Sequence, residues 1–206
     1  MGGVFRRAAD DGVLALMRRR FFELHDDVYV PRRWELGDLM DARGRILDGD
    51  NFVQGLPLDF DGSLRVTLRR YGLALDFSHL VGSPVPVVSE KVLELFNRWA
   101  PNDFQVVPVR IDTRTELYFL LNVRRLVKCI DDKRSAEVQY WTPEDGQPAK
   151  VGRYSAVHGL RVDTDLIPSE VKVFRPWGWI WPMIVSSELR TALLRSGATG
   201  LWFTPV

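Results

Sequence analysis

The sequence predicts an α+β protein: antiparallel sheet carrying two amphipathic helices, with an internal echo that allows two pseudo-symmetric halves. Three observations predict it. Residues 89–99 (SEKVLELFNRW) and 186–197 (SSELRTALLRSG) have helical periodicity. Residues 64–70 (LRVTLRR) alternate apolar and polar as a half-buried strand does, and 104–111 (FQVVPVRI) also reads as a strand. Segments 87–109 and 184–206 align without a gap 97 residues apart, with Val88/Val185, Ser89/Ser186, Arg98/Arg195, Pro108/Pro205 and Val109/Val206 identical. Ordinary strand–helix–strand grammar would give a similar echo, so duplication and coincidence both stay open.

In chain order, residues 1–20 are Arg- and Asp-rich and stand apart as an N-terminal extension. Val13, Leu14, Leu16 and Met17 suit a short amphipathic helix, and Met17 is the expected natural start. FFELHDDVYV (21–30) is β-like. Pro31, Gly37, Gly44, Gly49, Gly55 and Pro57 then predict a loop-rich stretch. In the first helix Val92, Leu95, Phe96 and Trp99 form the apolar face, Ser89 occupies the N-cap position, and Glu90 favours the positive end of the dipole.

ELYFLLNVRRLVKCID (116–131) is the longest strand candidate. Leu117, Phe119, Leu121 and Val123 share one face; Tyr118, Leu120 and Asn122 share the other. A strand apolar on both faces belongs in the middle of a sheet. TPEDGQP (142–148) predicts a hairpin tip. The second helix has Ser186 as N-cap and Gly197 as its stop, and LWFTPV closes the chain as a strand. The halves are expected at 21–111 and 112–206.

Composition narrows the function. Lys plus Arg is 28 against 27 for Asp plus Glu, so no global field draws in a polyanion. No apolar run approaches the roughly 20 residues that span a bilayer. The one cysteine, Cys129, leaves no internal disulfide and fits a reducing compartment, so a cytoplasmic protein is expected. Phosphate-loop, dinucleotide, zinc-protease and serine-hydrolase motifs are absent from the sequence.

Candidate chemistry is sparse. Glu23, His25 and Asp27 alternate along one strand, most simply as a solvated edge. Cys129, within an apolar pattern, reads as a buried inert thiol. Asp163 and Asp165 read as turn carboxylates. No metal or cofactor is expected. The unusual feature is aromatic: there are seven tryptophans, and PWGWIWP (176–182) holds three of them. In an extended backbone Trp177, Trp179 and Trp181 project to one side, either capping the core or forming a surface anchor for a protein partner.

The C-terminal half resembles immunity protein family eleven of bacterial polymorphic toxin systems. The resemblance rests on Tyr118, Leu120 to Val123, Cys129 to Asp131, Ser135, Val173 to Arg175, Val185 to Leu189 and Thr199 to Val206, in that order. It covers residues 116–206 well and reaches back more loosely to about residue 23. It implies a non-enzymatic protein that binds and blocks a cognate protein toxin, with no catalytic residues to carry over. The expected contacts are Trp177, Trp179 and Trp181, with the acidic turns Asp131-Asp132 and Glu144-Asp145 as phosphate mimics if the toxin is a nuclease. No direct nucleic-acid or membrane partner is expected, and oligomeric state stays open. The alternatives are a carboxylate-dependent hydrolase or transferase and an adaptor domain without a toxin.

Overall fold

A computed structural model describes residues 19–59 and 63–206, so the N-terminal helix and the Met17 start lie outside the described residues. The fold is α+β and mostly β. The strands are β1 Phe21–Asp26, β2 Glu35–Met40, β3 Leu64–Arg70, β4 Phe77–His79, β5 Pro86–Ser89, β6 Phe104–Ile111, β7 Tyr118–Val123, β8 Leu126–Val127, β9 Glu137–Tyr140, β10 Tyr154–His158, β11 Val173–Pro176, β12 Met183–Ser186 and β13 Leu201–Pro205. The helices are α1 Glu90–Trp99, between β5 and β6, and α2 Ser187–Arg195, between β12 and β13.

Six strands form one sheet in the order β2-β3-β6-β7-β5-β4, and five form another in the order β13-β1-β12-β11-β8. β9 and β10 make a separate hairpin. The six-stranded sheet curls until its edges meet: Leu36 of β2 bridges Leu80, and the Val81 N–H donates to the Leu36 carbonyl at 2.9 Å.

The echo in the sequence has a structural counterpart. β4, β5, α1 and β6 recur as β11, β12, α2 and β13, with Ser89 and Ser186 ending the strands that enter the two helices. β5 and β6 run parallel, joined through α1, with β7 antiparallel between them; β12 and β13 enclose β1 in the same way. Each unit is therefore a split β-α-β. The inserted strands are themselves 97 residues apart: β7 starts at Tyr118, just after β6, and β1 starts at Phe21, well before β12.

The registers agree residue by residue. Ser89 faces Tyr118 where Ser186 faces Phe21, and Pro108 faces Phe119 where Pro205 faces Phe22.

Burial follows from this arrangement. Phe22 and Leu24 of β1, with Leu121 and Val123 of β7, face a central core shared by both helices through Val92, Phe96, Leu189 and Leu193. The opposite faces serve separate cores. Tyr118 and Leu120 enter the curled sheet with Trp34, Val66 and Val109. Phe21 joins Cys129, Phe174 and Ile184. The expected two-faced apolar pattern of 118–123 thus places β7 in the sheet interior.

Buried polar ties lock the halves together. Asp103, after α1, is 2% exposed and accepts the backbone N–H groups of Lys172 and Val173 at 2.8 and 3.0 Å, beside an ion pair with Arg125. Reciprocally, Thr199 after α2 meets the start of β4: its hydroxyl accepts from Asp76 N–H at 3.0 Å and its carbonyl from Phe77 N–H at 3.1 Å. Gly200 has φ +83 and leaves room for this approach, since a Cβ there would lie 2.2 Å from the Phe77 carbonyl oxygen. Asp26 of β1 joins Arg33 at 2.6 Å and His79 of β4 at 3.3 Å.

Several expectations are corrected. The strand expected over 116–131 breaks after Val123, where Arg124 N–H turns to the Asp103 carbonyl, and Leu117 is 58% exposed. The loop-rich stretch contains β2, whose pairing with β3 carries register irregularities. β1 lies between β12 and β13, so Glu23 and His25, 3.5 Å apart, do not sit on a sheet edge. Ser89 occupies the N-cap position of α1, but its hydroxyl donates to Asp76 at 2.8 Å instead of accepting from the helix.

Two predictions follow from these ties. Cutting the chain between Thr115 and Glu116 should give two pieces that co-purify one to one when co-expressed, while neither alone unfolds cooperatively; size exclusion and urea titration check this. Acid should weaken the fold at defined groups. Burial alone would raise Asp26, but hydrogen bonds from His79 and Arg33 outweigh it and hold the carboxyl well below the usual range. Asp76 is lowered too: bonds from Thr199 and Ser89 overcome its burial. A depressed carboxyl stabilises above the unfolded value of about 3.9 and loses that contribution as pH falls through its folded value. Urea midpoints should therefore drop from pH 5 to pH 2, and less steeply in Asp26→Asn.

Candidate functional site

The β9–β10 hairpin and the loop between β11 and β12 lie outside the repeated β-α-β units, and they meet. Tyr154 N–H donates to the Gly178 carbonyl at 3.1 Å. Gly178 has φ +82, and a Cβ on it would come 3.2 Å from the Tyr154 ring. The glycine allows both the turn and the close approach. Opposite them, the 3-10 turn Gly49–Phe52 and the following Val53 and Gln54 complete a cavity of about 490 Å³. Trp141, Tyr154, Trp179 and Trp181 supply its aromatic lining, with Lys150, Arg153 and Asp50 as its charged groups. Its volume falls within the ~300–1,000 Å³ typical of ligand pockets.

The walls are fixed from behind. Arg175 of β11 is fully buried; it donates through Nη1 to the Ile180 and Trp181 carbonyls at 2.9 and 2.8 Å, and through Nη2 to the Pro84 carbonyl at 2.8 Å. Burial pushes its guanidinium down to about 9, so it remains charged at neutral pH. Among the described residues no carboxylate pairs with it. Hydrogen bonds to a charged group contribute about 1.5–3 kcal/mol each, against several kcal/mol for removing the ion from water. The two nearly cancel, so Arg175 serves the shape of the tryptophan loop more than net stability. Behind the lining residue Tyr154, Asp132 accepts hydroxyl hydrogen bonds from both Tyr140 and Tyr154, whose ring centroids are 4.6 Å apart. Lys150 Nζ lies 4.9 Å from the Trp141 ring centroid.

The sequence-expected contacts separate here. Trp179 and Trp181 line the cavity, and Trp181 is 50% exposed. The turn at Gly178 breaks the extended backbone that would have aligned all three rings. Trp177 is outside the lining, partly exposed, with Lys128 Nζ 5.4 Å from its ring centroid. Asp131 holds a turn by accepting from Lys133 and Arg134 N–H. Asp145 closes a capping box with Thr142, while Glu144 is exposed at the hairpin tip. Trp141, Lys150 and Arg153 escaped notice in the sequence. The available signal was the aromatic pair Tyr140-Trp141 just before TPEDGQP, with Tyr154 beyond it.

A second cavity, of about 540 Å³, is lined by Asp26, Arg33, Glu35, Arg69 and His79 among others. Its acids are already engaged: Asp26 with Arg33 and His79, and Glu35 with Arg70. Cys129 is fully buried, and burial, with Asp163 nearby, raises its thiol to about 12, leaving little thiolate at neutral pH.

Comparison with known families matches residues 31–206 to the Immunity protein family (Imm11). The chain belongs to this family. Membership supports an immunity role and suggests a non-enzymatic one. No curated protein matches the chain in a sequence comparison. The family-like segments fall largely on packing positions: Tyr118 and Leu120 to Val123 form β7, Cys129 is in the core, Arg175 holds the tryptophan loop, and Thr199-Gly200 docks on β4. No helix among the described residues is long and apolar enough to cross a membrane.

Replacing Arg175 with Met should leave the secondary structure intact and lower stability by about 1–3 kcal/mol, as three carbonyls lose their donor. Hydrogen exchange should accelerate at least tenfold in residues 178–181 relative to β12, which mass spectrometry of pepsin fragments can read.

Proposed function

We propose that this chain is an immunity protein that binds a cognate protein toxin and blocks it by covering the toxin's active site or substrate groove. The observation that carries this reading is the tryptophan-lined cavity, built from elements outside the repeated core and held by Arg175. Rigid, partly exposed aromatic rings are the side chains that most often dominate protein–protein binding. Trp179 and Trp181 are the proposed anchors, with Trp141 beside them and Trp177 on the flank. Glu144 can contribute at the hairpin tip, while Asp131, Asp132 and Asp145 act mainly by holding its turns. A specific interface of ~1,600 Å² would extend well beyond the cavity. The proposed setting is the cytoplasm of a bacterium exposed to the toxins of its own kind.

Occlusion fits the paired state of the carboxylates better than hydrolysis does. In the second cavity Asp26 is held ionised by Arg33 and His79, which makes it unsuited to donating a proton, and Glu35 is tied to Arg70.

The neighbouring open reading frame, expressed with and without this protein, tests the role directly: killing should occur only in its absence. Trp179→Ala and Trp181→Ala should each weaken toxin binding roughly 30-fold, about 2 kcal/mol, with thermal midpoints within a few degrees of wild type. Trp202→Ala, on β13 and outside the cavity, should retain full protection. Equal killing with and without the protein would remove the immunity reading.

A further inference from the structure

We propose that the tryptophan cavity takes an acidic, aromatic segment of the toxin: a carboxylate side chain bridging Lys150 and Arg153, with a neighbouring ring packed against Trp179 and Trp181. This rests on the immunity reading and adds the chemistry of the contact. The lining holds two cations and one acid, Asp50, and no ion pair joins them among the described residues. None of the acids near the hairpin forms an ion pair with Lys150 or Arg153 among the described residues, and two of them are engaged in local bonds. Asp132 is bonded to Tyr140 and Tyr154, and Asp145 to Thr142.

Two further cations contact neighbours of lining residues. Arg124 donates its Nε–H to the Gly55 carbonyl at 3.0 Å, next to the lining residue Gln54, without pairing to an acid. Lys128 lies over Trp177. The chain as a whole is near neutral, at +1, so these cations would act at short range and not through a field of the whole surface.

The geometry favours a protein carboxylate over a nucleic-acid phosphate. Strand-tracking sites present a continuous basic groove with successive stacking rings. Here the cations and the rings line one bounded cavity of about 490 Å³, which is room for a few side chains and not a track for a strand. Lys150 also lies against Trp141, so an incoming carboxylate would meet a charge already held in place by the aromatic wall. Complementary charge at such a site steers encounter and suppresses wrong partners more than it adds affinity.

The test titrates the full-length protein with three blocked tripeptides, acetyl-Glu-Phe-Glu-amide, acetyl-Gln-Phe-Gln-amide and acetyl-Lys-Phe-Lys-amide, and with a dodecathymidine strand, read by amide chemical shifts. The acidic peptide should bind at least tenfold more tightly than the basic one, shifting residues 150–155 and 178–181. The double variant Lys150→Glu with Arg153→Glu should invert that order, and Trp181→Ala should weaken all three peptides. Equal binding of the three, no binding up to about 10 mM, or tighter binding of the oligonucleotide would overturn the proposal. With the toxin in hand, loss of binding in Trp181→Ala but not in the charge-reversal variant removes this proposal and leaves the immunity reading standing. A toxin bound equally well by both variants overturns this proposal and the tryptophan contact, while the immunity reading itself falls only if killing is equal with and without the protein.

Discussion

The insertion of β1 and β7 into the two split β-α-β units governs the rest of the structure. A split unit has a gap between its parallel strands, and the backbone groups facing that gap need partners. β7 fills the gap between β5 and β6, and β1 the one between β12 and β13. Each inserted strand puts one face into the core between the helices and the other into a separate core. Its loss would open two hydrophobic clusters at once. The ties made by Asp103 and by Thr199 link the two units reciprocally, each turn after a helix docking at the start of a strand from the other unit.

Such a frame leaves its connecting segments free to diverge. Position 78 of β4 and position 175 of β11 occupy matching places, yet the side chains do different work. Ser78 accepts the Trp34 indole N–H at 2.9 Å inside the curled sheet, whereas Arg175 gathers the carbonyls of the tryptophan loop. A charged group without a carboxylate partner is a costly way to hold a loop, and its near balance of gains and penalties fits a residue retained for shape. Rigid walls also limit the side-chain entropy lost when a partner docks.

The apolar patterns were readable wherever burial follows local periodicity. The strands at 64–70 and 104–111, both helices, the closing strand and the two-faced character of 118–123 all appear in the structure. The 97-residue echo also appears, as matched helices and matched strand registers. Patterns failed where a tertiary contact overrides them. β2 reads as loop because Gly37 and Asp38 interrupt it, yet pairing with β3 makes it a strand. The long strand ends early because Asp103 captures Arg124 and Arg125.

By itself, then, the sequence determined which segments are apolar enough to pair or pack, that Cys129 is a core thiol, and which family the chain resembles, because these depend on neighbours along the chain or on the order of motifs. Only the tertiary structure decided that β7 fills the gap between β5 and β6 and β1 that between β12 and β13, that Trp177 parts from Trp179 and Trp181, and that Trp141, Lys150 and Arg153 join the latter pair in one cavity. Those outcomes depend on contacts between residues far apart in the chain, which no local period encodes.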